Sequence, residues 1–146
     1  KNARVQKNEL GKGANADVIE GDETIKITFD SAIDPASIIA GWNGSLPEIG
    51  KVNGNDGNDG NETLEIVGVG IITFTGDAIK NDFTDQDAKF ELSADKKTLT
   101  VTLKNANDSQ IGTSSQASFK VAGTLKNSDG AYFNNGDTII TGSKLK

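Results

Sequence analysis

Thr24-Ile25-Lys26-Ile27-Thr28-Phe29 alternates polar and apolar side chains without a break. Successive side chains of an extended strand point to opposite faces. This stretch therefore puts Ile25, Ile27 and Phe29 on one face and Thr24, Lys26 and Thr28 on the other. The period of two returns in Thr98-Leu99-Thr100-Val101-Thr102-Leu103, in Thr63-Leu64-Glu65-Ile66 and in Ser118-Phe119-Lys120-Val121. A strand with one apolar and one wet face belongs to an antiparallel sheet. Two layers of such strands cover each other's apolar sides. The pattern predicts an all-β, antiparallel β-sandwich.

Turn signals separate the runs. Ser93-Ala94-Asp95-Lys96-Lys97 reads as the turn of a hairpin between Phe90–Leu92 and Thr98–Leu103. Ser128-Asp129-Gly130 and Asn134-Asn135-Gly136-Asp137 read as further turns. A first strand is expected near Ala3–Glu9, followed by a glycine-bearing loop from Leu10 to Asn15. One short helix is expected near residues 35–40. Asp34 would be its N-cap, Pro35 its first residue and Gly41 its end, with Ile38, Ile39 and Trp42 turned into the core. Gly21-Asp22-Glu23-Thr24-Ile25-Lys26-Ile27 is echoed by Gly136-Asp137-Thr138-Ile139-Ile140, read as two strand entries after a glycine turn; the competing reading is two related modules in a tandem array, the second truncated.

The chain has 146 residues, enough for one domain with a core that needs no staples. It is read as a single domain, 1–146, cut from a larger multidomain protein. It contains no Cys, no His and no Met. Without Cys or His, the usual zinc sites, thiol or imidazole nucleophiles and serine–histidine triads are excluded. A pair of carboxylates acting on a glycosidic bond remains formally open, but the acids lie in loops without aromatic neighbours to build a sugar subsite. The net charge of −6 repels a phosphate backbone, so nucleic acid is not an expected partner. No apolar run approaches the roughly 20 residues of a membrane-spanning helix.

Glu20 to Ile38, which contains the first alternating run, continues into Gly41-Trp42-Asn43-Gly44. This block resembles a pattern recurring in immunoglobulin-like repeats of Gram-positive surface-layer and other cell-wall-associated proteins. Gly60-Asn61-Glu62-Thr63-Leu64-Glu65-Ile66 is similar to a strand that follows in the same repeats, and Lys97–Leu103 to one common in bacterial immunoglobulin-like modules. The likeness covers most of residues 17–103, and residues 104–146 match only in character. It implies an immunoglobulin-like sandwich on the cell exterior and a non-catalytic, structural role in self-assembly with other copies or neighbouring domains. Calcium is the one cofactor that it suggests. The alternative is an adhesin or carbohydrate-binding module using loops at one end of the sandwich.

Two acidic groups are candidate calcium sites, because calcium takes six to eight oxygen ligands. One is the loop Asn53–Glu62, with Asp56, Asp59 and Glu62 as ligands. It lacks the spacing of an EF-hand, and the competing reading is a solvated hairpin loop. The other is Asp77, Asp82, Asp85 and Asp87, with Asn81, whose competing reading is a polar crossover with turn-forming Asp side chains. Asp22, Asp30 and Asp34 form a third group, of which Asp34 is better explained as a helix cap and Asp22 as a turn residue. Trp42 is the only tryptophan. If exposed it could stack on a sugar; the core position is the expected one.

Overall fold

The computed structural model describes residues 5–10, 18–19, 24–57, 62–74, 82–103, 111–112, 117–133 and 138–141. The expected turn at residues 134–137 lies outside them, as does the loop expected from Leu10 to Asn15 apart from Leu10, which closes the first strand instead. Among the described residues there are eleven strands: β1 (Val5–Leu10), β2 (Val18–Ile19), β3 (Thr24–Phe29), β4 (Glu48–Asn55), β5 (Glu62–Ile66), β6 (Gly70–Phe74), β7 (Phe83–Leu92), β8 (Thr98–Leu103), β9 (Ile111–Gly112), β10 (Ala117–Val121) and β11 (Thr138–Thr141). Nine form one sheet in the order β1-β3-β8-β7-β4-β5-β6-β10-β11, and β2 pairs with β9. Every ladder is antiparallel. The expected all-β, sandwich-like fold is thus observed. Its two layers belong to one continuous ladder, which curls until β1 lies beside β11.

The alternating runs face as their period requires. Ile25, Val101 and Phe90 form one inward cross-strand row, and Ile27, Leu99 and Leu92 the next. On the other side of the core, Leu64, Ile72 and Phe119 stand in register. Ile25, Ile27, Leu64, Ile72, Phe90 and Leu99 are fully buried. Each such side chain contributes about 1.5–3 kcal/mol by leaving water. The outward residues of β3 and β8 are polar, and Thr28 and Thr98 approach hydroxyl to hydroxyl at 3.3 Å.

One register irregularity decides how the core closes. Opposite β4, Gln86 pairs with Val52 but Phe83 pairs with Gly54, so β7 carries one extra residue here. Gln86, Ala88, Phe90 and Leu92 share the inner face at even positions. The bulge shifts parity and lets the odd-numbered Phe83 join them. Asp85 occupies the bulge with φ 55°, a left-handed conformation that Asp tolerates better than most residues. Its backbone N–H donates to Asn53 Oδ1 at 2.7 Å. Phe83 lies across Gly54, where a Cβ would meet its ring at 2.2 Å. Gly70 is less forgiving, because a Cβ there would meet a backbone atom, the Lys120 carbonyl oxygen, at 2.4 Å.

The end of the sheet near Phe29 is sealed by loops. The expected helix is reduced to a single 3-10 turn, Pro35–Ser37, followed by one α-type bond from Ile39 N–H to Pro35 O at 3.1 Å. Asp34 caps it as expected, its Oδ1 accepting from Ala36 N–H at 3.1 Å. Gly41 (φ 83°) then reverses the chain. Ile33, Trp42, Leu125 and Phe133 are buried at this end, and Phe133 packs edge-to-face on Phe29 with centroids 4.8 Å apart. Buried Asn127 ties the loops together: its Oδ1 accepts from Asp129 N–H at 3.0 Å and Ala131 N–H at 2.9 Å. Ser128 N–H reaches across to Ala32 O at 2.9 Å.

The β7–β8 turn falls at the expected place. Lys96 has φ 59°, and Asp95 Oδ1 accepts from the Ser93 hydroxyl at 2.6 Å and from Lys97 N–H at 3.0 Å. The serine hydroxyl, then the backbone N–H, hold the exposed Asp95 carboxyl below its ordinary value. A carboxylate depressed in the folded state stabilises above its unfolded pKa, and the gain disappears as pH falls through the folded pKa. The stability difference between wild type and Asp95→Ala is therefore expected to be largest at neutral pH and to shrink as pH falls below the ordinary carboxylate range. Urea denaturation across that range measures it. Gly70→Ala is expected to cost ~2 kcal/mol or more through overpacking against backbone. The same denaturation at neutral pH reads that loss.

Candidate functional site

The acids singled out in the sequence do not share one environment. Glu62 is the first residue of β5, points inward and is fully buried. Asn53, Gly54 and Asn55 belong to β4, so the supposed acidic loop is shorter at both ends than its composition suggests. Asp56 follows β4, and its N–H donates to Asp82 Oδ1 at 2.6 Å, drawing the chain before β7 toward the end of β4. Asp85 sits at the bulge. Asp87 faces out from β7 and pairs with Lys51 across the β4–β7 ladder, both about half exposed. Such an exposed pair contributes no more than about 1 kcal/mol. Asp59, Asp77, Asn81 and Asp22 lie outside the described residues. Among the described residues, no three acidic, His or Cys side chains are grouped to hold a metal ion.

Two of the shallow grooves among the described residues carry polar side chains. The first, of about 330 Å³, lies on the outer face near the bulge and is lined by Asn53, Asn55, Thr63, Glu65, Asp82 and Thr84. Its groups are tied to one another: Asn53 Nδ2 donates to Glu65 Oε1 at 2.8 Å, while Asn53 Oδ1 serves the bulge. The second, of about 360 Å³, lies among the loops of the Phe29 end, between Asp34, Ser37, Thr124, Lys126 and Tyr132. Tyr132 is about half exposed, and the Lys126 ammonium sits 4.9 Å from its ring centroid. Ser37 Oγ donates to Asp34 O at 2.7 Å and accepts from Lys126 N–H at 3.0 Å. Tyr132 has no partner in the alternating pattern, and no sequence signal distinguished it from an ordinary turn residue.

Trp42 takes the expected core position. It is 6 % exposed, and its indole N–H donates to Leu46 O at 2.7 Å. Neither ring face is offered to a sugar. Ile38 and Ile39 pack partly buried against the same core. The residues carrying the sequence likeness thus become β3, a capped turn and the plug over one end of the core.

No known family model, no curated protein and no solved structure matches this chain.

Because Trp42 is the only tryptophan, its burial is directly readable. Native fluorescence is expected to be blue-shifted and shielded from iodide, and Trp42→Ala is expected to cost ~3–5 kcal/mol in urea denaturation. Red-shifted emission that iodide quenches freely would contradict the assignment.

Proposed function

We propose that this chain is a non-catalytic structural module of a bacterial cell-surface protein, surface-layer-like in character, which assembles with further copies or neighbouring domains. The burial of Trp42 carries this reading. The one side chain best suited to gripping a sugar is used to close the core. The stretch resembling surface-layer repeats is likewise a packing device, built from Ile25, Ile27, Phe29, Ile33 and Trp42. Calcium joining copies belongs to the same reading; no three acids of one copy are grouped to hold the ion among the described residues, so acids of more than one copy would share it.

The groove at Tyr132 favours a second reading, a carbohydrate-binding module whose loops at one sandwich end make the contact. An exposed aromatic ring beside hydroxyl and carboxylate groups is the chemistry of sugar recognition. The two readings separate in one pair of measurements on the wild-type chain. Under the structural reading, concentrated protein is expected to form ordered assemblies in negative-stain electron microscopy and to bind nothing saturably on a panel of neutral, N-acetylated and uronic-acid oligosaccharides. A protein that stays monomeric and binds one of these sugars, with binding lost in a folded Tyr132→Ala variant, would transfer the assignment to the second.

A further inference from the structure

The direction of the terminal strands follows from counting. Nine strands joined only by antiparallel ladders leave the first and the last, β1 and β11, running the same way. The registers show which way that is. Val5 opens β1 beside Phe29, and Leu10 closes it beside Ile25. At the other edge, Thr138 opens β11 beside Phe119, and Thr141 closes it beside Ala117. Ala117 is level with Phe74, and Phe74 with Glu62, at the end of the sheet far from Phe29. The chain therefore enters the sheet at the Phe29 end and leaves it at the Phe74 end. Its two terminal strands lie side by side along the axis between these ends.

We infer that the domain is a tension-bearing link, whose terminal strands β1 and β11 are loaded in shear when the chain is pulled from both ends. The inference rests on the structural reading proposed above and adds the direction in which the module works. Ladder hydrogen bonds lie across the strands. A pull along the strand axis therefore strains all the bonds of a ladder together, whereas a pull across the strands opens them one after another. Tension between the chain ends draws β1 along β3, from Val5 opposite Phe29 to Leu10 opposite Ile25, toward the Phe29 end. It draws β11 along β10 toward the other end. The β10–β11 ladder is the shorter clamp, and β11 is braced on its free side by β1. Neither terminal strand can leave by peeling from a corner, because each is pulled parallel to its own length. The same geometry sets successive modules end to end, with little change of direction in a pulled strand of chain.

Single-molecule force spectroscopy on the whole chain tests this by changing only the direction of pull. The chain contains no Cys, so an introduced thiol is a unique handle. Lys97 is exposed in the β7–β8 turn, at the same end of the sheet as Val5 and two strands across from it. Pulling between the N-terminus and Lys97→Cys therefore loads β1 across the ladder. At one pulling speed, rupture between the N- and C-termini is expected at a force severalfold higher than rupture between the N-terminus and position 97. The Lys97→Cys variant should melt with wild type, which confirms that only geometry differs. Equal forces, or a lower force between the termini, would overturn the inference. Assembly and sugar binding report separately on the structural reading, so failure of one is distinguishable from failure of the other.

Discussion

A sheet that curls on itself has to fill its interior from one face of every strand, and that constraint governs this protein. Period-two alternation supplies the inward rows, such as Ile25–Val101–Phe90 and Leu64–Ile72–Phe119. A slip of one residue in any strand would turn its apolar set to solvent. Where alternation and core geometry conflict, the backbone gives way: the Asp85 bulge restores parity for Phe83, and Asn53 accepts the bulge's N–H. Glycine clears room on the inner face of β4 and at the start of β6, where aromatic rings cross the neighbouring backbone.

The two ends of the sheet are finished differently. At the Phe29 end, the 3-10 turn, Trp42 and the Asn127-tied loop form a plug, latched by backbone bonds such as Asp34 N–H to Lys126 O at 2.9 Å. At the Phe74 end, Phe83 and the buried Glu62 line the interior while Asp56 and Asp82 mark the rim. A module with unlike ends and parallel terminal strands has a direction, which suits a repeated structural element.

Much of this was legible in the sequence, because alternation and turn chemistry are local. β3, β8, β5 and β10, the Ser93–Lys97 turn, the Asp34 cap and the burial of Trp42 all follow from residues that are neighbours in the chain. The echo between Gly21–Ile25 and Gly136–Ile139 resolves into the start of β3 at Thr24 and of β11 at Thr138. What local signals do not contain is strand order, since pairs such as β3–β8 and β6–β10 are distant in sequence. The acidic loop is shorter than its composition suggests: Asn and Gly normally break strands, yet here they end β4, and Gly54 is required beneath Phe83. The bulge did leave a trace: Phe83 and Phe90 are an odd number of residues apart, and both turn inward. The groove at Tyr132 left none, since it arises where two distant loops meet.

Because the chain lacks cysteine, single-cysteine variants along residues 98–103 test the inward–outward alternation most directly. Thiol-reagent labelling of the native state should be fast at positions 98, 100 and 102, and slow at 99, 101 and 103, where reaction waits on unfolding. Labelling that is uniform along the stretch, or that repeats every three to four residues, would contradict the arrangement on which the fold, the buried tryptophan and the shear geometry all rest.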